Sequence, residues 1–213
     1  MRSIALLLVA SLSLVSALES RIFSSYDGTT YVYDYVPARG ENSTFLLLHG
    51  FPSTRKEWGP HISKLTDEGY GVIVPDLLGY GDSDMPLELE AYNLKTISGH
   101  FAELVKHEEI DKVVGVGHDW GSLILSRALV WHPETFEKAV FLSLGYNAAG
   151  INFDVDGFNI QGLKQLGYMQ FGYWYFFNSF DAASVLSQNV SFARLDNGNH
   201  LLRYICSIVN TNS

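Results

Sequence analysis

Cysteine is nearly absent. The chain has one, Cys206, so neither an intramolecular disulfide nor a cysteine-based metal cluster can form. Positive charge is also scarce: 14 Lys and Arg stand against 23 Asp and Glu, a net charge of −9. Nucleic acids and anionic membranes select basic surfaces, which argues against either as the main partner. Charged residues make up 17% and hydrophobic ones 47%, which excludes a disordered or acidic solvating segment. Proline is missing after Pro133. Repeats, phosphate loops and clusters of metal-ligand type are missing too, so no metal or organic cofactor is expected. The 213 residues suffice for one sizeable core and are too few for two full domains.

The N-terminus carries a leader pattern. Arg2 precedes an apolar run from Ile4 to Val15, and Val15-Ser16-Ala17 supplies small residues for cleavage. Residues 1–17 therefore read as a secretory signal cut after Ala17, with a secreted product. A buried N-terminal helix is the other reading of the same run. No later stretch reaches the roughly 18 unbroken apolar residues of a spanning helix, so no membrane association is expected once the leader is gone. In a secreted chain the sequons at Asn42 and Asn189 become glycan acceptors.

Residues 21–26 and 30–36 flank Asp27-Gly28 and read as a hairpin. Strand-like apolar runs follow at 45–48, 71–74, 112–117 and 139–142, separated by helical spacing over 56–68, 94–108 and 122–131. That alternation implies βαβ crossovers and a mostly parallel sheet with helices on both faces. After Gly145 the composition shifts. Residues 146–180 hold 11 of the chain's 29 aromatics, and Leu163–Phe180 reads as a helix apolar nearly all round, which must be covered or line a cavity. The expected organisation is a leader at 1–17, an α/β core over 18–145 and an aromatic cap region over 146–213.

The turn Gly117-His118-Asp119-Trp120-Gly121 joins a buried strand to a helix and has the small-x-nucleophile-x-small spacing of a nucleophile elbow. The chain turns too sharply there for a Cβ at either small position, and the middle residue is left exposed on a strained turn. Here that residue is Asp119. The positive end of the helix dipole favours a carboxylate at this place, and a carboxylate attacks electrophilic carbon to give an ester. Asp is also a common helix N-cap, and the pentapeptide alone leaves both roles open. His49-Gly50-Phe51-Pro52 follows the first strand of the parallel series, where elbow hydrolases place an oxyanion donor. The backbone N–H groups of Phe51 and Trp120 are the candidates, and the Phe51–Pro52 bond is a candidate cis bond.

Four segments, in order, carry a wider resemblance: FLLLHGFP (45–52), VPDLLGYGDSDMP (74–86), VVGVGHDWGSLILS (113–126) and GYMQFGYWYFF (167–177). Together they resemble the epoxide hydrolases of the α/β-hydrolase fold over about 44–195. The resemblance implies that Asp119 is the nucleophile, that Phe51 and Trp120 form the oxyanion hole, and that Tyr173 is the first cap tyrosine. It implies a small hydrophobic substrate, ring opening by the aspartate, and ester hydrolysis by water that a histidine activates.

From about Asp196 the family pattern fades. The last strands, the second cap tyrosine, the relay acid and the histidine base are then expected to be missing, with only a partial helical cap. Of the seven histidines, only His200 follows the cap helix, in a segment unlike the base loop. An impaired epoxide hydrolase is therefore expected, with a sheet edge near 139–144 open to self-association. Two alternatives share parts of the pattern. A haloalkane dehalogenase has the same Asp-Trp pair, although Phe51 offers no side-chain halide donor. The third reading is a non-catalytic secreted protein that binds hydrophobic ligands in the aromatic cap.

Overall fold

The computed structural model describes residues 17–148, 150, 154–177 and 179. Residues 1–16 of the expected leader, the sequon at Asn189, His200 and Cys206 lie outside the described residues. Six strands form one sheet: β1 (Glu19–Ser24), β2 (Thr30–Val36), β3 (Thr44–Leu48), β4 (Gly71–Pro75), β5 (Val113–His118) and β6 (Phe136–Leu142), ordered β1-β2-β4-β3-β5-β6. β1 and β2 make the expected antiparallel hairpin, and β2 also pairs antiparallel with β4. The pairs β3–β4, β3–β5 and β5–β6 are parallel. The sheet is mostly parallel with an antiparallel edge, as the alternation implied.

The helices explain the order. From β3 the chain runs through α1 (Gly59–Asp67) to β4 on one side of β3. It then returns through α2 (Leu94–His107) to β5 on the other side. Right-handed crossovers in opposite directions put α1 and α2 on opposite faces. The buried side chains divide accordingly. One cluster joins Val36, Leu47, Val72, Val74, Val114 and Val116 to Trp58 and Ile62. The other packs Leu46, Leu48, Ile73 and the hairpin tyrosines Tyr31 and Tyr33 against Ile97, Phe101 and Leu104 of α2. Ile124 and Leu125 of α3 (Trp120–Trp131) join this second cluster. β3, β4 and β5 are buried on both faces, hence their continuous apolar runs.

The order reverses at β3. Ligands of open α/β sheets sit at such a point, beyond the carboxyl ends of the strands. The loops after β3 and β5 meet there. Among the described residues β6 pairs only with β5, and Val140 and Leu142 on it are exposed. The expected single helix over 163–180 is corrected. α4 (Val155–Leu166) stops at Gly167, which takes a left-handed φ of 79°, and a separate short α5 covers Gly172–Phe177. A continuous apolar composition concealed this left-handed stop, a common use of glycine at helix ends.

Candidate active site

Asp119 is the single residue between β5 and α3, and its φ is +51°. Left-handed backbone at a non-glycine residue stores strain that the surroundings must hold. Two close approaches hold it. A Cβ on Gly117 would lie 2.7 Å from the Gly121 carbonyl oxygen, and one on Gly121 would lie 2.2 Å from that of Leu48. Both small positions of the pentapeptide are therefore backbone requirements.

The Asp119 side chain is engaged outside the helix it precedes. It makes no capping hydrogen bond to α3. Instead Phe51 N–H, on the loop after β3, donates to Asp119 Oδ1 at 3.0 Å. The approach is so tight that a Cβ on Gly50 would fall 2.4 Å from Asp119 Cβ. The Asp119 backbone N–H donates to Leu142 O at 3.2 Å, tying the elbow to β6. Asp119 itself is half-buried. The N–H of Trp120 opens α3, where a helix has no acceptor of its own to offer. The Phe51–Pro52 bond is cis.

Above the elbow, α5 contributes aromatics. The Trp174 ring stacks on Trp120 with centroids 5.7 Å apart and an interplanar angle of 22°. Phe171 meets Trp174 edge-on at 5.7 Å. Tyr173 follows on the same short helix, with its ring at 6.3 Å from Trp174. Burial raises the pKa of the Tyr173 phenol, and the Asp119 charge adds to the rise, so the phenol stays a hydrogen-bond donor at neutral pH. Asp119, Phe51 and Trp120 are thus brought together, with Tyr173 in electrostatic reach.

Two groups near the elbow were read from the sequence only as turn residues. His118 Nδ1 lies 3.3 Å from Glu57 Oε1, and Ser53 Oγ bonds the other oxygen of Glu57. His49 is fully buried behind the Phe51 loop. The one local signal for it is a histidine placed directly after the apolar run of β3. Its partner, Leu77, lies in a different motif, VPDLLGYGDS.

A mostly parallel sheet that presents a side chain on a strained strand-to-helix turn, with a backbone N–H from the loop after an earlier strand facing it, has the arrangement of the α/β-hydrolase elbow. Residues 43–170 match the family model for the alpha/beta hydrolase fold, and the chain belongs to that family. It is 35% identical over 112 residues to Epoxide hydrolase 3 of Siraitia grosvenorii, covering 53% of this chain and 35% of that protein. Epoxide hydrolase A of Mycobacterium tuberculosis is 34% identical over 99 residues, 46% of this chain and 31% of that one. Among solved structures, Epoxide Hydrolase A from Mycobacterium thermoresistibile superposes with a TM-score of 0.69 at 25% identity. That match covers 84% of this chain and 55% of that structure. The matched part spans about a third of the curated relatives and about half of the solved structure.

Proposed function

We propose that the chain opens epoxides through Asp119. One observation carries the reading: Asp119 stands on a strained left-handed turn, does not cap its helix, and is held by Phe51 N–H. The likeness to proteins named epoxide hydrolases supports it. One Asp119 carboxylate oxygen attacks a ring carbon, and the C–O bond of the epoxide breaks. The leaving oxygen takes the phenolic proton of Tyr173. The product of this step is an ester on Asp119, with the phenolate then reprotonated from solvent. When water attacks the ester carbonyl, the N–H groups of Phe51 and Trp120 receive the oxyanion. Small hydrophobic epoxides suit the aromatic wall of Trp120, Trp174 and Phe171.

The second step is proposed to be slow in this 213-residue polypeptide. His49, His100 and His118 bond to groups other than Asp119, His132 lies 3.9 Å from Glu134, and His61 and His107 pack on Trp58 and Phe23. General-base help is typically worth about 10²–10⁴ in rate, so about one product per chain is expected on an assay timescale. Sustained turnover overturns this part, and His200→Ala then shows whether His200 supplies the base. Export through the leader, with Ala17 as the last residue removed, belongs to the same proposal. N-terminal sequencing of the protein from the medium checks it.

The test is mass spectrometry after incubation with an aryl epoxide and, separately, a haloalkane. A covalent adduct on Asp119 from the epoxide is expected, and Asp119→Asn abolishes it while the fold survives. An adduct from the haloalkane alone points to dehalogenation. Unchanged labelling of Asp119→Asn puts the nucleophile elsewhere.

A further inference from the structure

His49 sits immediately before the peptide that faces the nucleophile, and both of its ring nitrogens are engaged. Leu77 N–H donates to His49 Nε2 at 2.9 Å. A backbone amide can only donate, so Nε2 carries the lone pair. The one ring proton of a neutral imidazole is then on Nδ1, which donates to the Gly50 carbonyl at 3.0 Å. Burial pushes the imidazole pKa down, against the Gly50 bond and the charges of Asp76 and Glu57; His118 adds to the fall. Tyr80 closes the pocket edge-on at 4.9 Å.

The Gly50 carbonyl belongs to the same peptide group as the Phe51 N–H. A peptide is planar, so fixing its C=O fixes the direction of its N–H. Ser53 N–H also donates to Gly50 O, at 3.1 Å. The Ser53 hydroxyl lies near both Gly50 O and Glu57, but its single proton serves one of them at a time. The two constant donors on the Gly50 carbonyl are therefore His49 Nδ1–H and Ser53 N–H. On the other face of the same peptide, Phe51 N–H reaches Asp119 Oδ1. Donors on the carbonyl also polarise the amide and strengthen its N–H as a donor.

We infer, resting on Asp119 as the nucleophile, that His49 is a positioning residue: locked as its Nδ1–H tautomer by Leu77, it clamps the Gly50–Phe51 peptide so that Phe51 N–H is aimed at the Asp119 carboxylate. The ring touches neither substrate nor reacting atoms. It relays the geometry of the turn after β4 into the oxyanion donor, since Leu77 follows Asp76, which the buried Arg55 pairs.

Two measurements test this. The first is independent of catalysis: imidazole nitrogen shifts in long-range proton–nitrogen NMR spectra of the unmodified protein. A ring that stays in the Nδ1–H form from about pH 5.5 to 8 is expected; the Nε2–H tautomer, or a ring that titrates in that range, overturns the inference. The second compares single-turnover labelling of Asp119 by an aryl epoxide in His49→Leu and His49→Asn. The asparagine amide can put an N–H where Nδ1–H was, and leucine cannot. His49→Leu is expected to lower the labelling rate by on the order of tenfold or more, since small misplacements cost up to about 10². His49→Asn should restore most of it, which a role in packing alone would not do. A folded leucine variant that labels at the wild-type rate, or an asparagine variant as slow as leucine, overturns the inference. If the leucine variant does not fold, the asparagine variant and the NMR spectra decide. A wild-type chain that takes no label at Asp119 defeats the proposed function instead, and the tautomer measurement then decides His49 alone.

Discussion

At the residue scale, the site rests on what has no side chain. A carboxylate before a helix normally folds back to cap it, and Asp119 is prevented from doing so by its left-handed φ and by Phe51 N–H. The glycines make that arrangement possible, in two different ways. Gly50→Ala sets a methyl group 2.4 Å from Asp119 Cβ, so the carboxylate must shift. Its expected effect is a fall in Asp119 labelling of about 10²-fold, as misplacement of a reacting group by about 1 Å produces. Gly121→Ala sets the methyl 2.2 Å from the Leu48 carbonyl oxygen, which is backbone of a buried strand and cannot yield. It should lower stability by about 1–3 kcal/mol or more, as overpacking does, read as a drop in the urea midpoint. The elbow was legible because its spacing encodes these backbone demands locally. That the Asp119 side chain leaves its own helix was not, since its partner Phe51 lies 68 residues away. The tautomer of His49 was hidden for the same reason, its partner lying 28 residues on.

At the element scale, the aromatic region after β6 differs most from its reading. Aromatic density predicted one long helix, but the stop is set by Gly167 and by Asn159. The Asn159 side chain accepts the N–H of Phe171 at 2.7 Å and is almost fully buried. Composition does not encode such a corner, because the bond joins two segments that turn back on each other. Asn159→Ala should loosen it, since an unpaired buried N–H costs about 1–3 kcal/mol. The expected result is faster hydrogen exchange across 167–177, together with slower Asp119 labelling, because α5 carries Tyr173 and Trp174. Tyr173→Phe isolates the chemistry from the packing. It keeps the ring and removes the proposed proton donor, so the proposed epoxide opening should slow by about 10²-fold, the typical cost of one lost electrostatic donor. Exchange over α5 should stay unchanged in that variant. Faster exchange there, with no rate loss, would assign Tyr173 to packing only.

At the scale of the whole molecule, the parallel order of the sheet was readable from alternation alone, since buried runs of four or five apolar residues admit few other arrangements. The long-range polar pins between layers were not readable. The hairpin tip is held to α2 by His100, whose Nδ1 lies 2.9 Å from the Tyr31 hydroxyl and whose Nε2 lies 3.1 Å from Asp27. The Tyr26 ring meets it edge-on at 5.3 Å. Burial lowers the pKa of this imidazole, although the charges of Asp27 and Glu103 pull it back up. The imidazole of His49, behind the site, is lowered for the same first reason. Both shifts have the same sign. Below an unfolded histidine pKa of about 6.5 the unfolded chain takes up protons that the native rings refuse, so stability is complete above that pH and falls as the pH drops below it. Above about pH 5 the ordinary carboxylates, with pKa values near 4, add little. The urea midpoint of the wild type is therefore expected to fall between pH 7.5 and 5.5, and His100→Gln, which removes one of the two reluctant rings, should show a shallower fall. Parallel midpoint curves for the two proteins would mean that His100 accepts its proton in the native hairpin, held there by Asp27.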